Sequence, residues 1–147
     1  MTEFDENDLR RFVAAQGELW NGYDLALSEI RSGRKVSHWI WYIFPQLECL
    51  GHSYNSKFYG ISGAQEAKAY LDNPTLGQRL REISEVILNL PTNNAIEVFG
   101  GIDSLKLRSS MTLFDAVSPN DVFARVLEKY FNGRRDNRTL NILHNQK

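Results

Sequence analysis

The sequence has little cysteine and proline, with one cysteine and four prolines in 147 residues, and it has no excess of charge of either sign. Its single cysteine, Cys49, can form neither an internal disulfide nor a zinc cluster, so a disulfide-stabilised secreted domain is not expected. Seventeen basic residues against eighteen acidic ones give a formal charge of −1. This balance argues against a protein that coats nucleic acid or an anionic membrane.

Long hydrophobic runs and targeting signals are also missing. The apolar stretch from Trp39 to Phe44 is far too short to span a bilayer, and the N-terminus is acidic where a signal peptide begins basic. Hydrophobic residues nevertheless make up 42% of the chain, which suits a globular domain of this length. We therefore expect one soluble cytosolic domain over residues 1–147, with frayed ends at residues 1–6 and 144–147.

Helical signals dominate the chain. The clearest amphipathic stripe runs from Leu76 to Leu90, after a predicted cap at Asn73-Pro74 and before the terminating Pro91. The same signals predict further helices over Asp8–Gln16, Trp20–Ile30, a segment after a capping box at Ser62–Gln65, Ser104–Val117 with Asp103 as its cap, a segment from Ser118-Pro119 to Gly133 with Asp121 in its first turn, and Asp136–His144.

Strand signals are confined to residues 39–44, a run with β propensity that lacks alternating polar residues and a neighbouring hairpin turn. We interpret this run as buried helix or irregular core, with a strand as the second choice. The sequence thus predicts a mainly α fold, a single compact multi-helix domain with at most a minor strand element near residues 39–44.

Positive charge and aromatic rings are concentrated in residues 31–44. Arg31, Arg34, Lys35 and His38 precede Trp39, Trp41, Tyr42 and Phe44, with no acidic residue until Glu48. Basic side chains suit a phosphate or carboxylate, and an aromatic wall suits a ring or an apolar side chain. In the structural alternative, the basic residues stabilise the C-terminus of a helix, where positive charge is favourable, and the aromatic rings belong to the core. His38 is the candidate acid–base residue, or else a structural hydrogen-bonding residue beside a core tryptophan.

A second candidate segment spans residues 99–114. On a helix, Lys106 shares a face with Ser109 and Ser110, and the preceding Gly100-Gly101 turn could present backbone N–H groups to an anion. The spacing is not that of a phosphate-binding P-loop, and Asp103 at the cap would compete with a bound anion. The structural alternative is that the serines allow close approach of a neighbouring helix.

Other polar clusters predict no chemistry. The run Arg134 to Arg138 follows a helix and is interpreted as a solvated end. His38, His52 and His144 lack ligand-like spacing, so we expect no metal, and nothing in the sequence calls for a cofactor.

These segments carry a resemblance to a known family, the domain of unknown function 1810 (DUF-1810). The matching residues are Gly33-Arg34-Lys35, Ser37-His38-Trp39-Ile40-Trp41, Phe44-Pro45-Gln46, Leu50-Gly51, Glu66-Ala67, Tyr70-Leu71, Pro74, Leu76-Gly77, Arg79-Leu80, Phe99-Gly100, Asp103, Lys106 to Phe114, Asp136 and Thr139-Leu140. The resemblance implies a small, mostly helical, soluble domain without an established reaction. Fungal members resemble cytosolic chaperones of newly made translation elongation factor 1A, a GTP-binding protein.

Two functional hypotheses follow. In the first, the protein is a small cytosolic binding module that holds a protein partner or a small anionic, nucleotide-bearing ligand; the resemblance to fungal members extends this hypothesis to a chaperone of a translation GTPase. Its binding residues would be Arg34, Lys35, His38, Trp39, Trp41, Lys106, Arg108 and Ser109. In the alternative, it is an enzyme acting on a phosphorylated or nucleotide-like small molecule, with catalytic candidates His38, Asp103 and Ser109. A third interpretation makes both segments structural.

Overall fold

The computed structural model describes residues 8–146, and in that range it contains nine α-helices, one 3-10 turn and no strand. The helices are α1 (Arg10–Gln16), α2 (Tyr23–Arg31), α3 (Ile40–Ile43), α4 (Tyr54–Phe58), α5 (Ala64–Asp72), α6 (Pro74–Leu88), α7 (Ala95–Val117), α8 (Val122–Phe131) and α9 (Asn137–Asn145), and the 3-10 turn is Glu48–Leu50. The predicted mainly α fold is confirmed. Residues 1–6, predicted to fray, lie outside the described residues, and residues 144–145 belong to α9.

The core is formed where α5, α6, α7 and α8 pack on one another, with α2 against α6. The predicted stripe of α6 supplies Leu76, Leu80, Ile83 and Ile87, all with at most 1% of their surface exposed. Burying such a side chain contributes roughly 1.5–3 kcal/mol, so this stripe fixes α6 in the centre of the fold. No helix within residues 8–146 is long and apolar enough to cross a bilayer.

Caps set most helix starts. The Asn73 side chain accepts hydrogen bonds from the N–H groups of Thr75 and Leu76, so the predicted start of α6 is confirmed. Asp121 is the N-cap of α8 and does not lie in its first turn. The predicted capping box at the start of α5 does not form, because Gly63 is the cap and Glu66, rather than Gln65, accepts the N–H of Ser62.

Helix α7 is broken at Gly100. The helix begins at Ala95 under an Asn94 cap, and Gly100 then adopts φ 82° and ψ 167° before the second segment runs to Val117. The predicted cap role of Asp103 is therefore wrong, because that residue lies in the first turn of the second segment. A positive φ favours glycine, since other residues are strained there.

Residues 39–44 contain one short helix, α3, so the helical interpretation of this run is confirmed and the strand is not formed. The nearest β-type pairing is an isolated parallel bridge between Leu47 and Ile61. Trp20, the first residue of the predicted helix Trp20–Ile30, lies outside α2. The helix starts only at Tyr23, because Asn21 has φ 64° and interrupts the helical run.

Candidate functional site

The first basic segment is held in place by a carboxylate that the sequence analysis did not connect with it. Glu29 Oε1 accepts the N–H groups of Val36 and Ser37 and the indole N–H of Trp39, each at 2.9 Å, and its Oε2 accepts the Ser37 hydroxyl at 2.6 Å. Burial acts to raise the pKa of Glu29, but these four donors outweigh it and lower the pKa to about 2. Glu29 therefore binds this segment in its ionised form.

This geometry predicts a pH dependence of stability. The folded-state pKa of Glu29 lies below its ordinary value of 4.5, so its contribution is present above pH 4.5 and is lost as the pH falls towards about 2. Between pH 4.5 and about 2, we expect the free energy of unfolding, measured by urea denaturation, to decline less steeply in Glu29→Gln than in the wild type. Glu85→Gln removes one negative charge from an exposed ion pair with Arg125 and measures the effect of net charge alone. A Glu29→Gln profile parallel to that of the wild type would contradict the assignment.

The tryptophans of this segment do not line a groove together. Trp39 is fully buried and packs against Phe44 and Phe99, with ring centroids 6.2 and 6.5 Å away. The ring is part of the core, which favours the structural alternative for Trp39. Trp41 and Tyr42 are partly buried and pack against the same core.

Lys35 joins the two candidate segments. Its backbone N–H donates to the carbonyl of Val98 at 2.7 Å, and its Nζ lies 2.7 Å from Asp103 Oδ2 and 4.9 Å above the Trp39 ring. The Lys35 side chain is only 6% exposed. Its charge is therefore neutralised inside the fold, which favours the structural interpretation for both Lys35 and Asp103.

Arg34 and His38 are exposed, and neither lines the pocket that contains Lys106 and Arg108. Arg34 lines a different depression, together with Glu97 and its neighbours at the start of α7. His38 does not line the pocket that holds Lys106 and Arg108. The structure thus does not bring His38 into one pocket with Lys106 and Arg108.

Lys106, Arg108 and Ser109 do meet in one pocket of about 510 Å³. The second segment of α7 forms one wall, the chain around α4 forms another, and the start of α9 closes the end. The lining residues are Gln46, Leu50, Gly51, His52, Ser53, Ser56, Ile102, Leu105, Lys106, Arg108, Ser109, Asp136 and Arg138. We call this space the α7–α9 pocket.

The α7–α9 pocket is predominantly basic. Its fixed cations are Lys106, Arg108 and Arg138, and the one carboxylate in its lining is Asp136. Oδ2 of Asp136 accepts from the Ser109 hydroxyl at 3.1 Å and from both the N–H and the hydroxyl of Thr139. Asp136 therefore serves as the N-cap of α9 and ties this helix to α7.

Arg108 has spare hydrogen-bonding capacity. Its Nη2 lies 4.0 Å from Asp136 Oδ1, the limit of an ion pair, and its side chain is 31% exposed. Its Nε is buried, and no hydrogen-bond acceptor within residues 8–146 pairs with it. A buried donor without a partner is rare and costly, and a guanidinium fork matches the oxygens of a phosphate or carboxylate.

Positively charged side chains also lie next to the α7–α9 pocket. An adjoining depression shares Arg108, Asp136 and Arg138 with it and adds Arg134 and Arg135. Arg135 is paired with Asp115 at 3.1 Å. The turn before α9, interpreted from sequence as a solvated end, therefore supplies part of the basic surface.

Sequence reasoning missed Asp136, Arg138 and His52 as pocket residues. A local signal existed, because arginines flank an aspartate that begins a predicted helix. Nothing local indicates that this aspartate meets Ser109 or that the loop with His52 faces α7. Among residues 8–146, no group of three His, Cys, Asp or Glu side chains is placed to hold a metal ion.

Comparison with known proteins places this chain in a family. The family model described as "Protein of unknown function (DUF1810)" matches residues 6–143, so the chain belongs to the DUF1810 family. The crystal structure of the conserved hypothetical protein Rv1873 from Mycobacterium tuberculosis is similar, with a TM-score of 0.89 and 43% sequence identity. That match covers 95% of this chain and 99% of the other. The comparison with curated proteins gives no match.

Proposed function

We propose that this protein is a binding protein whose α7–α9 pocket holds a phosphate-bearing small molecule. The observation that carries the proposal is Arg108, whose buried Nε lacks an acceptor among the described residues while its guanidinium lines a pocket with Lys106 and Arg138. A phosphate oxygen would accept from Nε and from the neighbouring Nη, and the two other cations would offset the remaining charge.

The walls of the pocket suit a ligand that has an uncharged part as well as a phosphate. Ile102 and Leu105 are 74% and 57% exposed and, together with Leu50, supply apolar surface beside the three cations. Apolar walls with a few convergent polar groups are typical of small-molecule sites. A nucleotide-like compound, with a ring and a phosphate, combines these two properties.

The enzyme alternative receives no comparable support. Its acid–base candidate, His38, lies outside the lining of this pocket, and Asp103 is paired with Lys35. The third catalytic candidate, Ser109, lines the pocket but donates its hydroxyl hydrogen to Asp136 in the cap of α9. These contacts support holding a ligand rather than transforming it.

Calorimetric titration tests the proposal with inorganic phosphate, pyrophosphate and ATP as probes, at about 0.15 M salt, where diffuse charge effects are screened. We expect at least one probe to bind saturably and Arg108→Gln to weaken it about tenfold or more, because hydrogen bonds to charged groups are worth roughly 1.5–3 kcal/mol. Arg125→Gln is the matched control, since it removes the same charge from an exposed ion pair with Glu85.

Three results would overturn this function. One is the absence of saturable binding by every phosphate probe. Another is an equal loss of affinity in Arg108→Gln and Arg125→Gln, which would indicate diffuse electrostatics. The third is Arg108-dependent binding of an acidic peptide without binding of any phosphate, which would identify the pocket as a docking surface for a protein such as a translation GTPase.

A further inference from the structure

We propose that a second pocket, separate from the α7–α9 pocket, is an aromatic cage that receives a lysine or arginine side chain of a partner protein. It lies between α1, the turn of residues 17–22, α3 and the end of α4, and its volume is about 510 Å³. Four aromatic rings and one free carboxylate define it: Trp20, Tyr42, Phe58, Tyr59 and Glu18. We call it the aromatic cage.

The charge of the aromatic cage favours a cation. Arg11 also lines it, but this side chain is fully buried, is paired with Glu66 and donates to three backbone carbonyls. Glu18 is exposed and has no ion-pair partner within residues 8–146. The accessible charge of the pocket is thus a single negative one, beside ring faces that attract cations.

The electrostatics of two tyrosines agree with this placement. Burial first, and then the neighbouring Tyr59 and the Glu18 carboxylate, raise the pKa of Tyr42 to about 12. The pKa of Tyr59 is also raised, chiefly by burial and then by Tyr54, while Arg11 acts to lower it and Glu18 adds a smaller increase. Glu18 therefore contributes a negative potential at both tyrosine hydroxyls, and at Tyr59 the buried Arg11 opposes it.

A hydrogen bond and tight packing hold the walls of the cage in place. The Tyr42 hydroxyl donates to the carbonyl of Asn21 at 2.7 Å, which fastens the turn bearing Trp20 to α3. Gly22 packs so tightly that a Cβ there would lie 2.1 Å from the carbonyl oxygen of Glu18. The Tyr42 and Tyr59 ring centroids are 5.1 Å apart. Preformed walls of this kind lower the entropy cost of binding.

The surroundings of the cage point to a protein rather than a free small cation. Leu19, Trp20 and Tyr54 are 84%, 78% and 76% exposed, and Tyr54 stacks on Phe58 with ring centroids 5.6 Å apart. Tryptophan and tyrosine are enriched among the residues that dominate protein interfaces. A free ammonium ion would leave these side chains in water, whereas a peptide with apolar residues beside its basic side chain would cover them.

The test uses a set of short peptides that differ only at a central position, which holds lysine, arginine, glutamine or norleucine between leucines. Binding is followed by two-dimensional NMR of the Trp20 indole N–H. We expect the lysine and arginine peptides to bind more tightly than the glutamine and norleucine ones. Trp20→Ala and Glu18→Gln should each weaken that binding by about threefold to tenfold, the range expected for a cation on an aromatic face.

Matched variants separate this site from general charge and from the other pocket. Glu97→Gln removes an exposed carboxylate elsewhere, and Arg108→Gln alters the α7–α9 pocket; both should leave peptide binding unchanged. Equal binding of the basic and uncharged peptides would overturn the proposal, as would equal effects of Glu18→Gln and Glu97→Gln. Trp20-dependent binding of free tetramethylammonium that is tighter than that of every peptide would overturn the assignment to a protein partner.

Discussion

Replacing Arg11 by alanine is expected to lower the free energy of unfolding by about 3–5 kcal/mol, because the change leaves a buried charge without its partner. The Arg11 side chain is 0% exposed, and its Nη1 lies 3.0 Å from Glu66, whose side chain is 8% exposed. The same guanidinium donates to the carbonyls of Asp8, Phe58 and Gly60. Its removal therefore takes one donor from each of these three carbonyls and leaves the Glu66 carboxylate, which keeps the Ser62 N–H, without a positively charged partner.

Urea denaturation followed by circular dichroism measures this loss, and Arg10→Ala is the matched control. Arg10 precedes Arg11 in the same helix, but its side chain is 62% exposed and pairs with Asp8 at the surface. A surface ion pair of this kind is worth about 0–1 kcal/mol. Similar losses in the two variants would contradict the view that Arg11 clamps α1 to the chain between α4 and α5.

Trp39→Ala is expected to cost about 3–5 kcal/mol, the range for deleting a large aromatic side chain from a core. The ring is fully buried, and its indole N–H is one of the four donors to Glu29. The substitution thus opens a cavity and also loosens the segment that Glu29 holds. A loss of this size would lower the melting temperature by roughly 10–15 °C for a chain of this length.

Two further variants divide the Trp39 effect into its parts. Trp39→Phe keeps most of the apolar volume and removes the indole donor, so it should recover a large part of the lost stability. Trp41→Ala removes a ring that is only partly buried and should cost less than Trp39→Ala. A loss below about 1 kcal/mol for Trp39→Ala would be typical of an exposed site and would show that this ring is not core.

The helices could be predicted where local signals and packing agree. The stripe of α6 lies between an asparagine cap and a proline, and its predicted residues, Leu76 to Ile87, are buried. Predictions failed where a local signal had two possible uses. Asp103 has the properties of a cap, yet its carboxylate is used by Lys35, which is distant in sequence.

The candidate site was predictable only in the part that lies on one helix. Lys106 and Ser109 are three residues apart on α7, so their spacing alone places them on one face, whereas spacing does not place Arg108 there. Asp136 and Arg138 reach the same pocket through the packing of α9 on α7, which no local pattern encodes. The aromatic cage likewise combines α1, α3 and α4, and helical spacing predicted its Trp20 to begin a helix that in fact starts at Tyr23.

The break at Gly100 also bears on the order in which the chain folds. In an uninterrupted helix the Val98 carbonyl would accept from residue 102, but here it accepts from the Lys35 N–H. The break thus leaves the Val98 carbonyl to a segment that is distant in sequence. Because this contact closes a long loop, we expect it to form late in folding, after the local turns of α6 and α7.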